Sequence, residues 1–370
     1  MSIAVRRRNG HTAAAGVETE VPPVPFDHEE FVVRRGTRSD CYVMVAVHST
    51  TLGPALGGVR LWHYRSAMDA SRDALRLAEG MTMKAAAAGL DLGGGKGVIC
   101  APRGAPPTGP DRQAMLLDFG DLVESLDGRY ITAEDVGISP EDLVTISDRT
   151  THLTGLPPDR GGSGDPSPFT ADGVQAAMRA CAAARFGTPD LSGCRIVVLG
   201  MGHVGERLAE LLSAAGAELV VSDIVAEKQS VAKRLGAEWV EPAAALTTQC
   251  DILAPCALGG TVDGTVLPRL RCEIVCGSAN NQLAEPGLDE ALAERGVLYA
   301  PDFIVNAGGL IHVYMEIRRY SEDHARQLVL GIEATMGQVL RTAAERKTTP
   351  LRAAAALARE RLATHQPVRV

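Results

Sequence analysis

The chain lacks any run of about 18 uninterrupted apolar residues, which excludes a membrane-spanning helix. The N-terminal segment lacks the apolar centre of a secretory signal. Arg6, Arg7 and Arg8 lead into HTAAAGVETEVPPVP, and residues 1–25 read as a disordered polar tail. No CxxC pair is present: the nearest of the eight cysteines are Cys250/Cys256 and Cys272/Cys276, with no histidine beside them. That spacing excludes both a disulfide-stapled secreted domain and a tetrahedral zinc site, and predicts buried, inert thiols in a cytoplasmic protein. His28, His48, His63, His152 and His312 have no ligand partner three or four residues away, so no metal is expected. Positive charge is also in deficit, with 37 Lys and Arg against 45 Asp and Glu for a net charge of −8. Nucleic acid and anionic membranes are thereby disfavoured as partners, and a small molecule is favoured. No repeat of 20 to 50 residues occurs.

What remains is ordinary globular composition, 45% hydrophobic and 22% charged over 370 residues, enough for two or three domains. The segment LPPDRGGSGDPSP at 156–168 is too rich in Pro, Gly, Ser and Asp to be helix or strand, and reads as a linker; 103–113 reads as a surface loop. Before the linker, YVMVAVHST predicts a buried strand. A helix capped by Ser66 follows, carrying Asp69, Arg72, Asp73, Arg76 and Glu79 on one face and running on through GMTMKAAAA to Gly89. GVIC and RYITAED supply further strands, with helical DRQAMLLDFGDLVESL between them. After the linker, helices alternate regularly with the strands CRIVVLG, ELVVSD, CDILAP, EIVCGSA and VLYAPD, which predicts βαβ units on a parallel sheet. Ser321 and the pair Thr349-Pro350 open two final helices.

At the end of CRIVVLG stands Gly200-Met201-Gly202-His203-Val204-Gly205, followed at once by a helix, with Asp223 closing the next strand. The glycines allow a tight turn, an open approach for a diphosphate and close helix packing, while the helix start faces the phosphates. Asp223 stands where an acid accepts from the adenosine ribose, and IVAE after it supplies no arginine for a 2′-phosphate. The motif predicts NAD in preference to NADP. Two lysines stand out as well: Lys84 in an alanine-rich helical stretch, and Lys96 after Gly93, Gly94 and Gly95 and just before an apolar strand. Lysines in such surroundings are costly to bury unless paired or neutralised.

In order along the chain come TTLGPALGGVRLW, GMTMKAAAAGLDLGGGKGVI, YITAEDVG, GSGDPSPFTADGV, CDILAPCALGGT, GSANNQL and APDFIVNAGGLIHV. Over about residues 30 to 345 this pattern closely resembles the amino-acid dehydrogenases, specifically the leucine, valine and phenylalanine enzymes. The resemblance implies a two-domain α/β protein: a substrate-binding and oligomerisation domain over 26–155, a Rossmann NAD-binding domain over 156–330, and C-terminal helices over 331–370 returning to the first domain. It implies a homo-oligomer acting on an L-amino acid and its 2-oxo acid. By the same resemblance Lys84 would hold the substrate α-carboxylate, Lys96 would be the catalytic lysine and Asp135 the proton relay. Thr170 and Asn280 would meet the nicotinamide end. Asn281 and Asn306 would lie near the amino group or the hinge, the first counted with the substrate and the second with the cofactor. Leu56, Gly57, Gly58, Met81, Ala133, Thr154, Leu310 and Val313 match the side-chain pocket.

Oxidative deamination asks for these groups: a hydride leaves Cα, water attacks the iminium, and ammonia departs. A lysine with an ordinary pKa near 10.4 is no base at neutral pH. Burial and the second ammonium at Lys84 are therefore expected to lower Lys96, with the preceding glycines admitting the substrate. Departures from the family pattern are His203 where asparagine is frequent, Gly205 for alanine, Met83 for tyrosine, and altered lengths at 103–113 and the linker; none removes a reacting group. Ala133 and Val313 point to a branched-chain substrate, whereas Leu310 replaces a smaller valine. An aromatic amino-acid dehydrogenase is the nearest alternative, and an inactive NAD-binding scaffold the alternative of another kind.

Overall fold

A computed structural model describes residues 27–104 and 106–364. The tail expected at 1–25 and the final residues of the C-terminal segment lie outside the described residues. Two sheets organise the chain. The first contains β1 (Glu30–Arg35), β2 (Tyr42–Ser49), β3 (Ala55–Trp62), β4 (Gly93–Cys100) and β5 (Tyr130–Glu134), in the order β1-β2-β4-β3-β5. β1, β2 and β4 pair antiparallel, while β4, β3 and β5 run parallel. The second contains β6 (Arg195–Leu199), β7 (Glu218–Ser222), β8 (Glu238–Trp239), β9 (Ile252–Pro255), β10 (Ile274–Val275) and β11 (Leu298–Tyr299). Its order, β11-β10-β9-β6-β7-β8, is parallel throughout. Strand order reverses beside β6, the point at which doubly wound sheets receive nucleotides. The architecture is thus the expected two-domain α/β fold with a Rossmann-type sheet.

Glycine fixes the first sheet's geometry. Lys96 lies inside the central strand β4, not ahead of a strand as the sequence suggests, and the glycines before it belong to the ladder. A methyl on Gly94 would collide with the backbone nitrogen of Thr82 on helix Ala67–Ala87, and one on Gly95 would come within 2.6 Å of the Tyr130 ring. These glycines therefore admit the protein's own helix and aromatic core rather than the substrate. Close seating of that helix, capped by Ser66 Oγ accepting from Asp69 N, sets Lys84 over the same sheet face as Lys96.

Before the linker, three elements escape the sequence reading: β1, β3, and helix Pro140–Ser147, which begins with a Ser139–Asp142 capping box; after it, β8 and helix Gly308–Arg318 are among those missed. The surface loop at 103–113 is also shorter than expected, because helix Gly109–Glu124 starts within it with a proline in the first turn. In the linker, the Glu316 carboxylate on helix Gly308–Arg318 accepts from Gly155 N, Ser163 N and Ser163 Oγ. That clasp ties the connection to the helix bearing Leu310 and Val313. Of the last two helices, Ile332–Arg346 packs on Ser167–Phe186, and Pro350–Thr364 crosses back to Ala67–Ala87. There Arg361 donates to the carbonyls of Ala86 and Leu90 and pairs with Asp91. All eight cysteines are free; Cys181, Cys250, Cys272 and Cys276 are buried, whereas Cys41, Cys100, Cys194 and Cys256 are half-buried, less enclosed than expected.

Candidate active site

Lys96 is 5% exposed, and its Nζ lies 2.8 Å from Asp135 Oδ2. Asp135 follows β5, so the pair spans the intervening strand β3. The register pairs Val59–Gly97 and Leu56–Gly94 bring Gly58 level with Lys96. A methyl on Gly58 would fall 2.8 Å from Asp135 Cβ, so the missing side chain leaves the space that Asp135 fills. Gly57 is closed for another reason: its methyl would overlap the Gly95 carbonyl oxygen.

Burial lowers the pKa of Lys96; Asp135 opposes this, and Arg60 adds to the lowering. Arg60 is thus an assisting cation that the sequence did not mark, and the Lys84 and Lys96 charges also oppose one another, as expected. Arg60 stands on β3 with Nε donating to Asp135 Oδ2 at 2.8 Å. Burial would raise the Asp135 carboxyl, but Lys96 and Arg60 outweigh it and hold the group below the ordinary range. Lys84 is half-buried at the cleft, crowded by protein, and its pKa is pulled down to about 8 by desolvation. Asp302 from the other domain partly offsets this, while Lys96 adds to it. Burial raises the Asp302 carboxyl against the backbone N–H groups of Asn281 and Phe303 and the charge of Lys84.

Sequence reasoning missed Arg60 and Asp302. The available signals were an arginine inside the apolar stretch GGVRLW and an acid between Pro301 and Phe303.

Apart from Thr154, the expected pocket positions fall on paired strands β3 and β5 and on one helix in each half of the chain. Gly57 pairs with Thr132 and Gly58 with Ala133, while Thr154 N donates to Thr132 O. Met81 and Lys84 lie three apart on one helix, as do Leu310 and Val313 on another. Leu56, Met81, Leu310 and Val313 share one apolar cluster that spans both domains. Thr154 is 1% exposed, and its Oγ1 has no partner among the described residues.

On the second sheet, Gly200 has φ +105°, and a methyl on Gly205 would overlap Gly200 O. Gly202 faces open space, with no atom within 4 Å of a built methyl. Helix His203–Ala214 begins without a side-chain cap, leaving its first N–H groups for a ligand. This cradle fits a diphosphate. Asp223 accepts from Met201 N at 2.6 Å and Val225 N at 2.8 Å, so it braces the loop. His203 is exposed, with Nδ1 4.0 Å from Asp165 Oδ2, and Val204 packs against the core. Asn306 Nδ2 donates to Asn280 Oδ1 at 2.8 Å and to Ser278 O, while its own buried Oδ1 has no partner among the described residues. Thr170 donates to Pro166 O and touches the position of Gly309, beside the start of the helix that bears Leu310. Asn281 is exposed at φ +51°; its backbone, rather than its side chain, engages Asp302.

Residues 29–152 match the family profile described as Glu/Leu/Phe/Val dehydrogenase, dimerisation domain, and residues 221–369 match Glutamate/Leucine/Phenylalanine/Valine dehydrogenase. A leucine dehydrogenase of Thermoactinomyces intermedius is 45% identical over 308 residues, 83% of each chain. The chain belongs to the Glu/Leu/Phe/Val dehydrogenase family. Other relatives include a valine dehydrogenase of Streptomyces virginiae, 42% identical over 90% of this chain and 94% of its own. The crystal structure of L-tryptophan dehydrogenase from Nostoc punctiforme superposes with a TM-score of 0.81 at 37% identity, covering 92% of this chain and 97% of that one. Residues 171–258 also match the NAD-binding domain of D-isomer specific 2-hydroxyacid dehydrogenases. As a Glu/Leu/Phe/Val dehydrogenase, the protein is an NAD-dependent L-amino-acid dehydrogenase, which sets aside the inactive scaffold.

Proposed function

We propose that the protein catalyses reversible oxidative deamination of a branched-chain L-amino acid, with leucine, valine or isoleucine giving the 2-oxo acid, ammonia and NADH. The observation that carries this reading is the pair of buried Lys96 and half-buried Asp135 beside the uncharged wall of Leu56, Met81, Leu310 and Val313. A side-chain carboxylate against that wall would cost several kcal/mol without a partner, which disfavours glutamate. Gly57 and Gly58 do not signal room for an aromatic ring, because packing and Asp135 already claim their missing side chains.

The Gly200–Gly205 cradle with Asp223, Thr170, Asn280 and Asn306 would hold NAD, which would supply the acceptor for the Cα hydride. In this reading the Lys84 ammonium binds the α-carboxylate, and Asp135 takes a proton from the substrate ammonium. The unprotonated form of Lys96, favoured by burial, takes a proton from the water that attacks Cα. Asp135 then returns a proton to the nitrogen, and Lys96, having released its first proton to solvent, takes the carbinolamine hydroxyl proton as the C–N bond breaks and ammonia leaves the 2-oxo acid. In the same reading the exposed Asn281 would face the substrate. We place the enzyme in the cytoplasm as a homo-oligomer, on the free thiols and on the dimerisation description of the family profile over 29–152.

The test is NADH formation across L-valine, L-leucine, L-isoleucine, L-2-aminobutyrate, L-phenylalanine, L-tryptophan and L-glutamate, with wild type and Lys96→Ala. Branched-chain preference, and a fall in kcat of about 100-fold or more with NADH affinity retained, is expected. Preference for an aromatic substrate would replace the branched-chain reading, and near wild-type turnover by Lys96→Ala would overturn the role of Lys96.

A further inference from the structure

Arg60 has no part in the proton transfers above, yet its guanidinium joins two carboxylates. Nε donates to Asp135 Oδ2 at 2.8 Å, and Nη1 donates to Asp73 Oδ2 at 2.9 Å. Asp73 is itself fixed by the Tyr64 hydroxyl at 2.6 Å and by Arg76 at 2.9 Å. The result is a row of alternating charge, Arg76–Asp73–Arg60–Asp135–Lys96, drawn from helix Ala67–Ala87, β3, the end of β5 and β4.

Both cations that reach Asp135 meet the same oxygen. Oδ1 accepts from no described residue, and the side chain is 23% exposed. We infer that Arg60 is a positioning residue: anchored at its far end by Asp73, it clamps Asp135 Oδ2 and so presents Oδ1 as the atom that exchanges a proton with the substrate nitrogen. This rests on the deamination reading and on Asp135 as its relay. The planar fork engages the two carboxylates from separate atoms, Nε and Nη1, in a fixed geometry, whereas a lysine would have to serve both from a single freely rotating nitrogen. With Gly58 opening the floor beneath it, Asp135 is held by its charge partners rather than by steric walls.

The clamp also tunes the pair. Arg60 favours the ionised form of Asp135 and disfavours the protonated form of Lys96. The other charged groups facing this point are Lys84 on helix Ala67–Ala87, Glu134 beside Asp135, and Asp302 from the opposite domain, which bears on Lys84. None of them bonds Asp135. Removing the Arg60 charge should therefore move both titrations upward.

The experiment compares kcat–pH profiles of wild type, Arg60→Gln, Arg60→Lys and Asp73→Asn, with NADH affinity and melting temperature measured alongside. Arg60→Gln is expected to lower kcat about 100-fold and to shift both limbs of the profile to higher pH. Arg60→Lys should keep the limbs near wild type while kcat stays depressed, because the charge returns without the fork. Asp73→Asn retains Arg60 but frees its outer end, so kcat should fall with a smaller shift. It carries the decision should the Arg60 variants fail to fold. Wild-type kcat, or a loss of kcat with unmoved limbs in Arg60→Gln, would overturn the proposal; for Asp73→Asn alone, an unchanged kcat would do so. An Asp135→Asn control separates the two levels. If it retains turnover, the relay reading fails and the clamp with it. If it is inactive while Arg60→Gln behaves as wild type, the clamp alone is wrong.

Discussion

Lys96 and Asp135 reach each other across the strand that separates them, with Nζ and Oδ2 2.8 Å apart above the bare backbone of Gly58. The pairing thus depends on an atom that is missing. Gly58→Ala should displace Asp135 and lower kcat by about 100-fold, with NADH affinity at the remote cradle unchanged. Turnover near wild type would show that Asp135 finds another route to Lys96.

Lys84 should make 2-oxo acid binding pH-dependent. Desolvation lowers its pKa to about 8, so the ammonium is present below that value and is lost as pH rises through it. A bound carboxylate stabilises the ammonium, and KM for the 2-oxo acid in the amination direction should therefore climb above pH 8. The 2-oxo acid is the better probe because it carries no amine of its own. Lys84→Met should abolish the dependence and raise KM at every pH; a flat KM in wild type would contradict the assignment.

Cofactor choice should follow Asp223. NAD⁺ is expected to be used with far higher kcat/KM than NADP⁺, since the carboxylate repels a 2′-phosphate. Asp223→Ser should narrow that gap. It should also weaken NAD⁺ binding, because Asp223 braces the phosphate loop through Met201 N. Equal efficiency of the two cofactors with the wild-type enzyme would refute this.

Leu310 should set the length of side chain accepted. It is 7% exposed in the cluster that holds Leu56, and one methylene in such a pocket is worth roughly 1 to 3 kcal/mol of discrimination. Leu310→Val should raise kcat/KM for leucine relative to valine, at a stability cost under about 1.5 kcal/mol. An unchanged ratio would place Leu310 outside the pocket.

The Rossmann half was legible because strands and helices alternate with turn residues between them, and because the phosphate loop joins strand to helix without a gap. The first sheet was less so. In ALGGVRLW the two glycines break the β-branched pattern of a strand, yet they lie in β3 because Gly95 O on one side and Glu134 O with Asp135 on the other leave no room for side chains. The glycines of β4 misled differently: read as room for the substrate, they seat a helix and the Tyr130 ring. Lys84, Lys96 and Asp135 could be marked from their motifs, but the partners of Arg60 follow from strand register and helix seating, 13 and 75 residues away. The influence of Asp302 on Lys84 needs the second domain in place, and no local pattern encodes that.

The proposed pocket is split between strands β3 and β5 and two helices, one in each half, and that split has an evolutionary consequence. Positions 57 and 58 cannot grow without breaking the β3–β4 contact or expelling Asp135, so drift on that side is confined to Leu56, Met81, Ala133 and Thr154. Leu310 and Val313 sit on the helix that follows the nucleotide-binding sheet and is clasped to the linker by Glu316. On the proposed pocket, part of the substrate preference would therefore be inherited with the cofactor half. A chimaera that takes its second half from a relative of different taste would acquire some of that taste along with its NAD site, while the reacting groups of the first half stayed unchanged.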